Sequence, residues 1–200
     1  MRLNGEEKAE ESKKKGDSDN TAKNFLKTRQ LMISGEVNED LAKEVIGKLL
    51  LLESLSATKP IYIYIDSPGG NVYSGFAIFD IIRFIKPPVK IIGTGLIASA
   101  AALILLSAKK QNRFALPNSH YLIHQPLSEM RGVATDLEIH AKEIERIKER
   151  LNLIIAKETG KTKEAVLKDT ERDYWLNAQE ALEYGLVSKI ITTRKELTTK

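Results

Sequence analysis

Apolar residues recur along the chain in two patterns, one with the period of a helix and one with the period of a strand. Asn38 can cap a helix, and apolar residues follow it at helical spacing: Leu41, Val45, Ile46, Leu49 and Leu50. Pro60 then begins a predicted strand, 61–65, whose Tyr62 and Tyr64 lie on its alternate face. Ser67-Pro68-Gly69-Gly70 predicts a tight turn after this strand.

The alternation of strand and helix continues through the middle of the chain. An amphipathic helix through Phe76 and Ile82 should end at Pro87-Pro88. A strand from Val89, a turn at Gly95 and a helix of small residues from Ser99 are expected next. Short strands at 113–116 and 121–124 follow. This order of elements indicates an α/β fold.

A long polar helix is predicted from Ala134 to Thr159, with Gly160 as its stop signal. It carries an apolar stripe: Leu137, Ile144, Ile147, Leu151 and Ile154. A capping box at Asn177 and Glu180 should begin a further helix, and 187–191 should form the last strand. The helix 134–159 is longer than a compact fold of this size needs, so we expect it to contact other subunits.

Charge and composition narrow the possible classes of protein. Residues 1–22 are rich in charge and lack aromatic side chains, so we expect disorder there and a single domain over 23–200. The net charge of +4 is small, and no basic run alternates with aromatics, so nucleic-acid binding is not expected. The uncharged stretch 91–108 is interrupted by Gly93 and Gly95, which favours a buried strand and helix over a membrane span. No signal peptide is apparent, and a cytoplasmic location is expected.

The absence of cysteine excludes a disulfide framework, a thiolate metal site and a cysteine nucleophile. With only three histidines, a structural zinc site is not expected either. No stretch matches the phosphate-binding pattern G-x-x-x-x-G-K-[ST], so the chain should not bind ATP itself. We therefore expect neither a metal nor a cofactor.

The chain contains the residue types that acyl transfer needs. Ser99 opens a predicted helix, where free N–H groups favour negative charge, and small residues surround it. His124 ends a strand before Gln125-Pro126, and Asp173 lies between two helices. His120 lies on the same strand face as His124, so alternation cannot separate the two. Taken singly, each residue also has an ordinary explanation in packing, loops or capping.

Several ordered motifs together resemble the proteolytic subunit of the Clp protease (ClpP). They are Gly95–Ser99 (GLIAS), Arg113–Ser119 (RFALPNS), Ile123–Pro126 (IHQP), Asp169–Asp173 (DTERD), and Ser67–Gly70 (SPGG) before them. Ala134–Ala141 (ATDLEIHA) and Glu183–Val187 (EYGLV) fit as well. The resemblance covers about residues 26–191.

The resemblance implies a fold, an activity and a set of site residues. The fold would be ClpP/crotonase-like, with a head domain of repeated β-β-α units and a protruding handle helix at about 134–159. The activity would be that of a serine endopeptidase. Ser99 would be the nucleophile, His124 the general base and then acid, and Asp173 the residue that orients the histidine. The backbone N–H groups of Gly70 and Ala100 would form the oxyanion hole.

The resemblance also implies partners. Members of this family stack two heptameric rings around a closed chamber, and an ATP-driven AAA+ unfoldase (ClpX, ClpA or ClpC type) feeds protein substrates into it. Docking of the unfoldase would use apolar positions on the outer ring face: Tyr62, Tyr64, Phe84, Ile92 and Phe114.

The sequence departs from the family pattern in three places. Ala101 replaces a usual glycine, the charged first segment does not resemble the family's axial loops, and Ser128–Arg131 (SEMR) replaces a glycine-rich stretch. Two alternatives stay open from the sequence. One is a ring subunit that is non-catalytic or active only with a ClpP paralogue, and the other is a crotonase-like acyl-CoA enzyme.

Overall fold

A computed structural model describes residues 24–197 of the chain. The expectation of disorder for 1–22 therefore lies outside the described residues. The strands are β1 (Gln30–Val37), β2 (Ile61–Gly70), β3 (Val89–Ala98), β4 (Arg113–Ala115), β5 (His120–Ile123), β6 (Tyr174–Asn177) and β7 (Lys189–Ile190). The helices are α1 (Glu39–Leu55), α2 (Val72–Phe84), α3 (Ala100–Leu105), α4 (Ala134–Thr159), α5 (Lys163–Thr170) and α6 (Ala178–Tyr184).

The sheet is mainly parallel, and helices connect its strands. Its strand order is β1-β2-β3-β4-β7, with parallel pairing throughout. The long strand β3 also pairs with β5 through Leu96–Ala98, and β6 pairs antiparallel with β5. Parallel strands need helical crossovers, which is why strand and helix alternate along the chain. The α/β fold expected from the sequence is confirmed.

Side-chain caps fix where the helices begin. Asn38 and Asn71 accept hydrogen bonds from the third backbone N–H that follows each of them, at 2.9 Å in both cases. Asn177 and Glu180 form the predicted capping box at the start of α6. Gly160 and Gly185 end α4 and α6 in the left-handed conformation, which glycine adopts without steric cost.

Three local predictions need correction. The SPGG segment is not a free turn, because Ser67–Gly70 forms the end of β2 and continues to pair with β1. Gly95 lies inside β3, where Leu96 donates its N–H to the Asp66 carboxylate at 2.9 Å. The last strand is confined to β7, shorter than the predicted 187–191. In the first two cases the tertiary structure overrides the local preference of glycine for turns.

The two faces of the sheet bury different clusters. On β2, Ile61, Ile63 and Ile65 pack into the main core, whereas Tyr62 and Tyr64 point to the opposite face. This second face carries a smaller apolar cluster of buried residues: Ile92, Phe114, Ile191 and Leu197. Tyr62, Tyr64 and Leu116 pack against these residues, and we call the whole set the outer cluster.

Helix α4 is anchored mainly at one end. Its buried residues are Ile147, Asn152, Ile155 and Thr159, all in its C-terminal half. At the same end the Glu158 carboxylate contacts Arg83 and Arg113, both at 2.7 Å. The N-terminal half instead carries exposed apolar side chains, including Leu137 and Ile139. In this half Ile144 still packs against the main core, whereas Leu137 and Ile139, nearer the start of the helix, are exposed.

Candidate active site

Ser99 lies at a sharp junction between β3 and α3. Its φ of 55° and ψ of −120° place a non-glycine residue in a sparsely populated region of backbone conformation. The Ser99 N–H donates to the Leu122 carbonyl at 2.9 Å, which fixes the junction to β5. Such strain is typical of residues whose position the surrounding structure determines. The junction presents Ser99 at the start of a helix, as predicted.

Gly69 allows the end of β2 to approach Ser99 closely. A Cβ atom on Gly69 would lie 2.7 Å from the Cβ of Ser99 and 2.5 Å from the carbonyl oxygen of Ala98. Its φ of +89° also favours glycine. The two segments that the sequence singled out, SPGG and GLIAS, are thus packed directly against each other.

His124 and Asp173 are brought together by the pairing of β5 with β6. Ile123 pairs with Tyr174 in this antiparallel ladder, so the residues just beyond them face each other. His124 Nδ1 lies 3.2 Å from Asp173 Oδ1, within hydrogen-bonding reach. The neighbouring Gln125 reinforces the arrangement, because its backbone N–H and its side-chain amide donate to the carbonyls of Thr170 and Glu171, both at 2.7 Å.

The structure separates His124 from the other two histidines. The side chain of His124 is 13% exposed, whereas His120 lies on the surface with its ring near the Asn118 carbonyl. His140, which the sequence analysis did not select, lies on α4, and its Nε2 is 2.6 Å from Ser128 Oγ. The strand period left His120 and His124 equivalent, and the contact with Asp173 distinguishes them.

A cavity of about 490 Å³ lies at the candidate active site. Ser99 and His124 both line it, as do Gly70 and Ala100, whose backbone N–H groups are the expected oxyanion donors. No hydrogen bond between Ser99 Oγ and the His124 ring is present in the described part of the chain. Catalytic hydrogen bonds are often long in ligand-free structures and shorten when substrate binds, so this does not argue against the pair.

The sequence analysis missed several polar residues of the cavity, among them Tyr73, Glu143 and His140. The Tyr73 hydroxyl donates to Glu143 Oε1 at 3.3 Å. Partial desolvation, together with the Glu143 carboxylate, raises the pKa of Tyr73. His140 and Glu143 are three residues apart, a spacing that puts them on one helix face, but only the fold shows that this face meets the cavity.

The expected docking residues fall into two places. Tyr62, Tyr64, Ile92 and Phe114 belong to the outer cluster. Phe84, at the end of α2, is 77% exposed and is not part of that cluster. Leu197 is buried among the others, and Lys90 donates a hydrogen bond to its carbonyl.

Two further features concern metals and membranes. Among residues 24–197, no group of three or more His, Asp or Glu side chains is placed to hold a metal ion. Within the same range, no helix combines the length and apolar character needed to cross a bilayer.

Comparison with known proteins identifies the family. The model of the Clp protease family matches residues 12–194. Subunit 2 of the ATP-dependent Clp protease from Treponema denticola is 57% identical over 200 residues, covering all of both chains. Its counterpart from Treponema pallidum is 60% identical over 176 residues, or 88% of each chain. A mutant of ClpP1 from Listeria monocytogenes superposes with a TM-score of 0.82 at 48% identity, over 88% of this chain and 99% of that one.

These matches span nearly the whole chain and include the segments that carry Ser99, His124 and Asp173. They agree with the resemblance seen in the sequence and disfavour the acyl-CoA enzyme alternative. The chain belongs to the Clp protease family of serine peptidases.

Proposed function

We propose that this chain is a peptide-bond hydrolase in which Ser99, His124 and Asp173 form the catalytic triad, as a proteolytic subunit of an ATP-dependent Clp complex. The observation that carries the proposal is the shared cavity. Ser99 and His124 both line it, and the Nδ1 atom of His124 lies 3.2 Å from Asp173 Oδ1. A serine hydroxyl needs a base to remove its proton, and that base needs a third group to orient it.

The reaction follows from the roles of these atoms. His124 Nε2 takes the proton of Ser99 Oγ as that oxygen attacks the substrate carbonyl. Asp173 holds Nδ1 protonated and stabilises the positive ring that forms. The same proton then passes to the leaving amine, and a water molecule, activated in the same way, releases the acyl group. Ser99 is regenerated at the end of the cycle.

The negative oxygen of the tetrahedral intermediate needs donors that are already in place. Ala100 begins α3, and the first N–H groups of a helix have no partner within it. Gly70 lines the same cavity from the end of β2. We assign the backbone N–H groups of Gly70 and Ala100 to this oxyanion hole, where one donor is typically worth about 10²–10³ in kcat.

We also propose that the subunit works inside stacked heptameric rings. The exposed apolar side chains on the N-terminal half of α4 support this, because a lone subunit would leave Leu137 and Ile139 in water. An AAA+ unfoldase would dock at the outer cluster and at Phe84. In the ring, the outer cluster of one subunit would lie beside Phe84 of the neighbouring subunit. The chain itself has no phosphate-binding loop, so the ATPase would be a separate protein. The cytoplasmic location stays a prediction.

A second candidate function is supported by Ser128–Arg131. The stretch after Gln125-Pro126 is expected to pair with substrate and to contact the opposite ring, and here it carries Glu129 and Arg131 instead of glycines. Ser128 is moreover hydrogen-bonded to His140 on α4. A subunit of this kind would be fully active only beside a ClpP paralogue.

A fluorophosphonate probe tests the proposed nucleophile. The purified protein should take up one adduct, and mass spectrometry should locate it on Ser99. The Ser99→Ala variant should lose both labelling and peptide hydrolysis, whereas Ser54→Ala, which changes an exposed serine on α1, should keep both. Labelling that persists in Ser99→Ala would exclude Ser99 as the nucleophile.

A further inference from the structure

The cavity beside Ser99 has an apolar interior and a single acidic side chain. Its apolar lining includes Val72, Leu103, Leu122, Ile144 and Ile147. Glu143 is the one carboxylate among the described lining residues, and neither lysine nor arginine is among them. A substrate side chain that enters this cavity therefore meets one carboxylate, and His124 and His140 are the lining side chains that can carry positive charge.

Tyr73 holds the Glu143 side chain over the cavity. Tyr73 is the second residue of α2, and Glu143 lies on α4, so their 3.3 Å hydrogen bond connects the two helices across the cavity. On its solvent side, Glu143 Oε2 lies 3.3 Å from Arg146 Nη1. The side chains of Arg146 and Glu143 are 78% and 42% exposed, so solvent weakens this pair and Arg146 offsets only part of the field of the Glu143 carboxylate.

We propose that Glu143, positioned by Tyr73, makes the cavity select against acidic substrate side chains and in favour of uncharged ones. The inference rests on the proposed peptidase function, because Ser99 and His124 line the same cavity. The cavity would hold the side chain of the P1 residue, which is the substrate residue whose carbonyl Ser99 attacks.

Two effects act in the same direction on an acidic P1 residue. Its carboxylate loses water on entering an apolar cavity, and there it is repelled by Glu143. The P1 glutamine analogue has the same shape and loses only the hydration of a neutral amide. The comparison of glutamine with glutamate at P1 therefore isolates charge, while both side chains fill the same volume.

The experiment compares two peptides that differ only in P1 glutamine or P1 glutamate. It measures the ratio of their kcat/KM values, Gln over Glu, for the assembled protein and for Glu143→Gln. We expect the ratio to exceed one for the unaltered protein and to fall about two- to fivefold in Glu143→Gln, which corresponds to the upper part of the range for a partly exposed charge pair. Glu145→Gln is the matched control, since Glu145 is exposed on the same helix and does not line the cavity. Its ratio should not change.

Tyr73→Phe tests the positioning role separately. Removing the hydroxyl should lower the Gln-to-Glu ratio in the same direction as Glu143→Gln, but less. The double variant should match Glu143→Gln alone, because both changes act through one carboxylate. A general loosening of the fold would lower the rates for both peptides without this effect on their ratio.

The possible outcomes distinguish the selectivity role of Glu143 from the peptidase function itself. If Glu143→Gln and Tyr73→Phe hydrolyse peptides with the ratio of the unaltered protein, the selectivity role of Glu143 is wrong while the peptidase function stands. If the unaltered protein hydrolyses no peptide, including one with P1 leucine, either alone or mixed with a paralogue whose nucleophilic serine is replaced by alanine, the proposed function fails and the inference fails with it.

Discussion

His124 and Asp173 face each other as the next pair beyond the β5–β6 ladder, with Nδ1 3.2 Å from Oδ1. Their side chains differ in exposure, because that of His124 is 13% exposed and that of Asp173 is 60% exposed. The carboxylate therefore approaches the ring from the solvent side while the ring is held inside the cavity. A surface carboxylate can still select the ring's tautomer, since this depends on geometry more than on burial.

Replacing Asp173 with Asn should reduce kcat strongly while the fold is retained. The amide can keep the contact but no longer favours a proton on Nδ1, and it cannot stabilise the charged ring; the expected loss is about 10²–10⁴-fold. Peptide hydrolysis under saturating substrate measures it. Glu171→Gln changes a nearby exposed carboxylate and should retain the original kcat. Equal activity of both variants would remove Asp173 from the triad.

Gly69→Ala should destabilise the protein and impair the site together. The new methyl group would lie 2.5 Å from a backbone oxygen and 2.7 Å from the Cβ of Ser99, at a φ of +89°. Gly47→Ala is the contrasting variant, because Gly47 lies in α1 with nothing within 4 Å of an added Cβ. It should stabilise the protein by about 0.5–1 kcal/mol. Thermal unfolding and peptide hydrolysis, measured on both variants, test the pair.

Much of the fold could be predicted because its signals are local. Asn38 and the Asn177–Glu180 box cap helices where the sequence indicated, since a cap depends on neighbours in the chain. The SPGG segment and Gly95 were assigned to turns because glycine usually forms them. Pairing with β1, which no local pattern reports, instead keeps SPGG in the sheet, and Gly95 lies within β3 at a register irregularity between Gly93 and Ile97.

The candidate site was predictable only in part, for a similar reason. Ser99, His124 and Asp173 were selected through motifs of a known family, and their spacing alone did not separate them from ordinary residues. Tyr73 and Glu143 meet across two helices that are far apart in sequence. The contact of His140 with Ser128 depends on how the loop before α4 folds back, which no local pattern indicates.

Glu158→Gln should lower the free energy of unfolding by about 3–5 kcal/mol, because it removes the charge that pairs with a fully buried arginine. The Arg113 side chain is 0% exposed, and its Nε and Nη1 atoms have no hydrogen-bond partner among the described residues. Burial lowers the pKa of Arg113, and the Glu158 carboxylate opposes that effect. Urea unfolding measures the loss.

Glu149→Gln is the matched control for that experiment. Glu149 lies on the same helix and pairs with Lys163 at 2.7 Å, but the side chains of both residues are well exposed. Solvent already screens this pair, so its removal should leave the unfolding curve unchanged. If the two variants had equal stability, the buried cluster at the end of α4 would not anchor the helix.

Light scattering should report a mass many times that of the 22.4 kDa chain. The physical reason is the start of α4, where Leu137 and Ile139 are exposed to solvent in the described subunit. Ile139→Glu places a charge in this surface and should shift the mass towards smaller species. A monodisperse monomer at micromolar concentration would contradict the ring proposal.

The last prediction is that this subunit hydrolyses peptides slowly alone and faster with a paralogous partner ring. Ser128, Glu129 and Met130 restrict a segment that glycines would leave free to bend, and Ser128 Oγ is already engaged by His140. Glu129 and Arg131 also place charges at a contact that repeats around the ring. Each exposed charge pair is worth about 1 kcal/mol or less, but the contact repeats around the ring and the energies add. A paralogous partner can carry charges opposite to those of Glu129 and Arg131 at this contact.

Peptide turnover, measured for the protein alone and for its mixture with a paralogue from the same cell, decides this prediction. Because turnover could rise through the partner's own activity, the mixture should contain a partner whose nucleophilic serine has been replaced by alanine. A rise in turnover then belongs to this chain, and Ser99→Ala in the same mixture should abolish it. Full activity alone, unchanged on mixing, would show that Glu129 and Arg131 pair with each other across identical subunits and that no partner is needed.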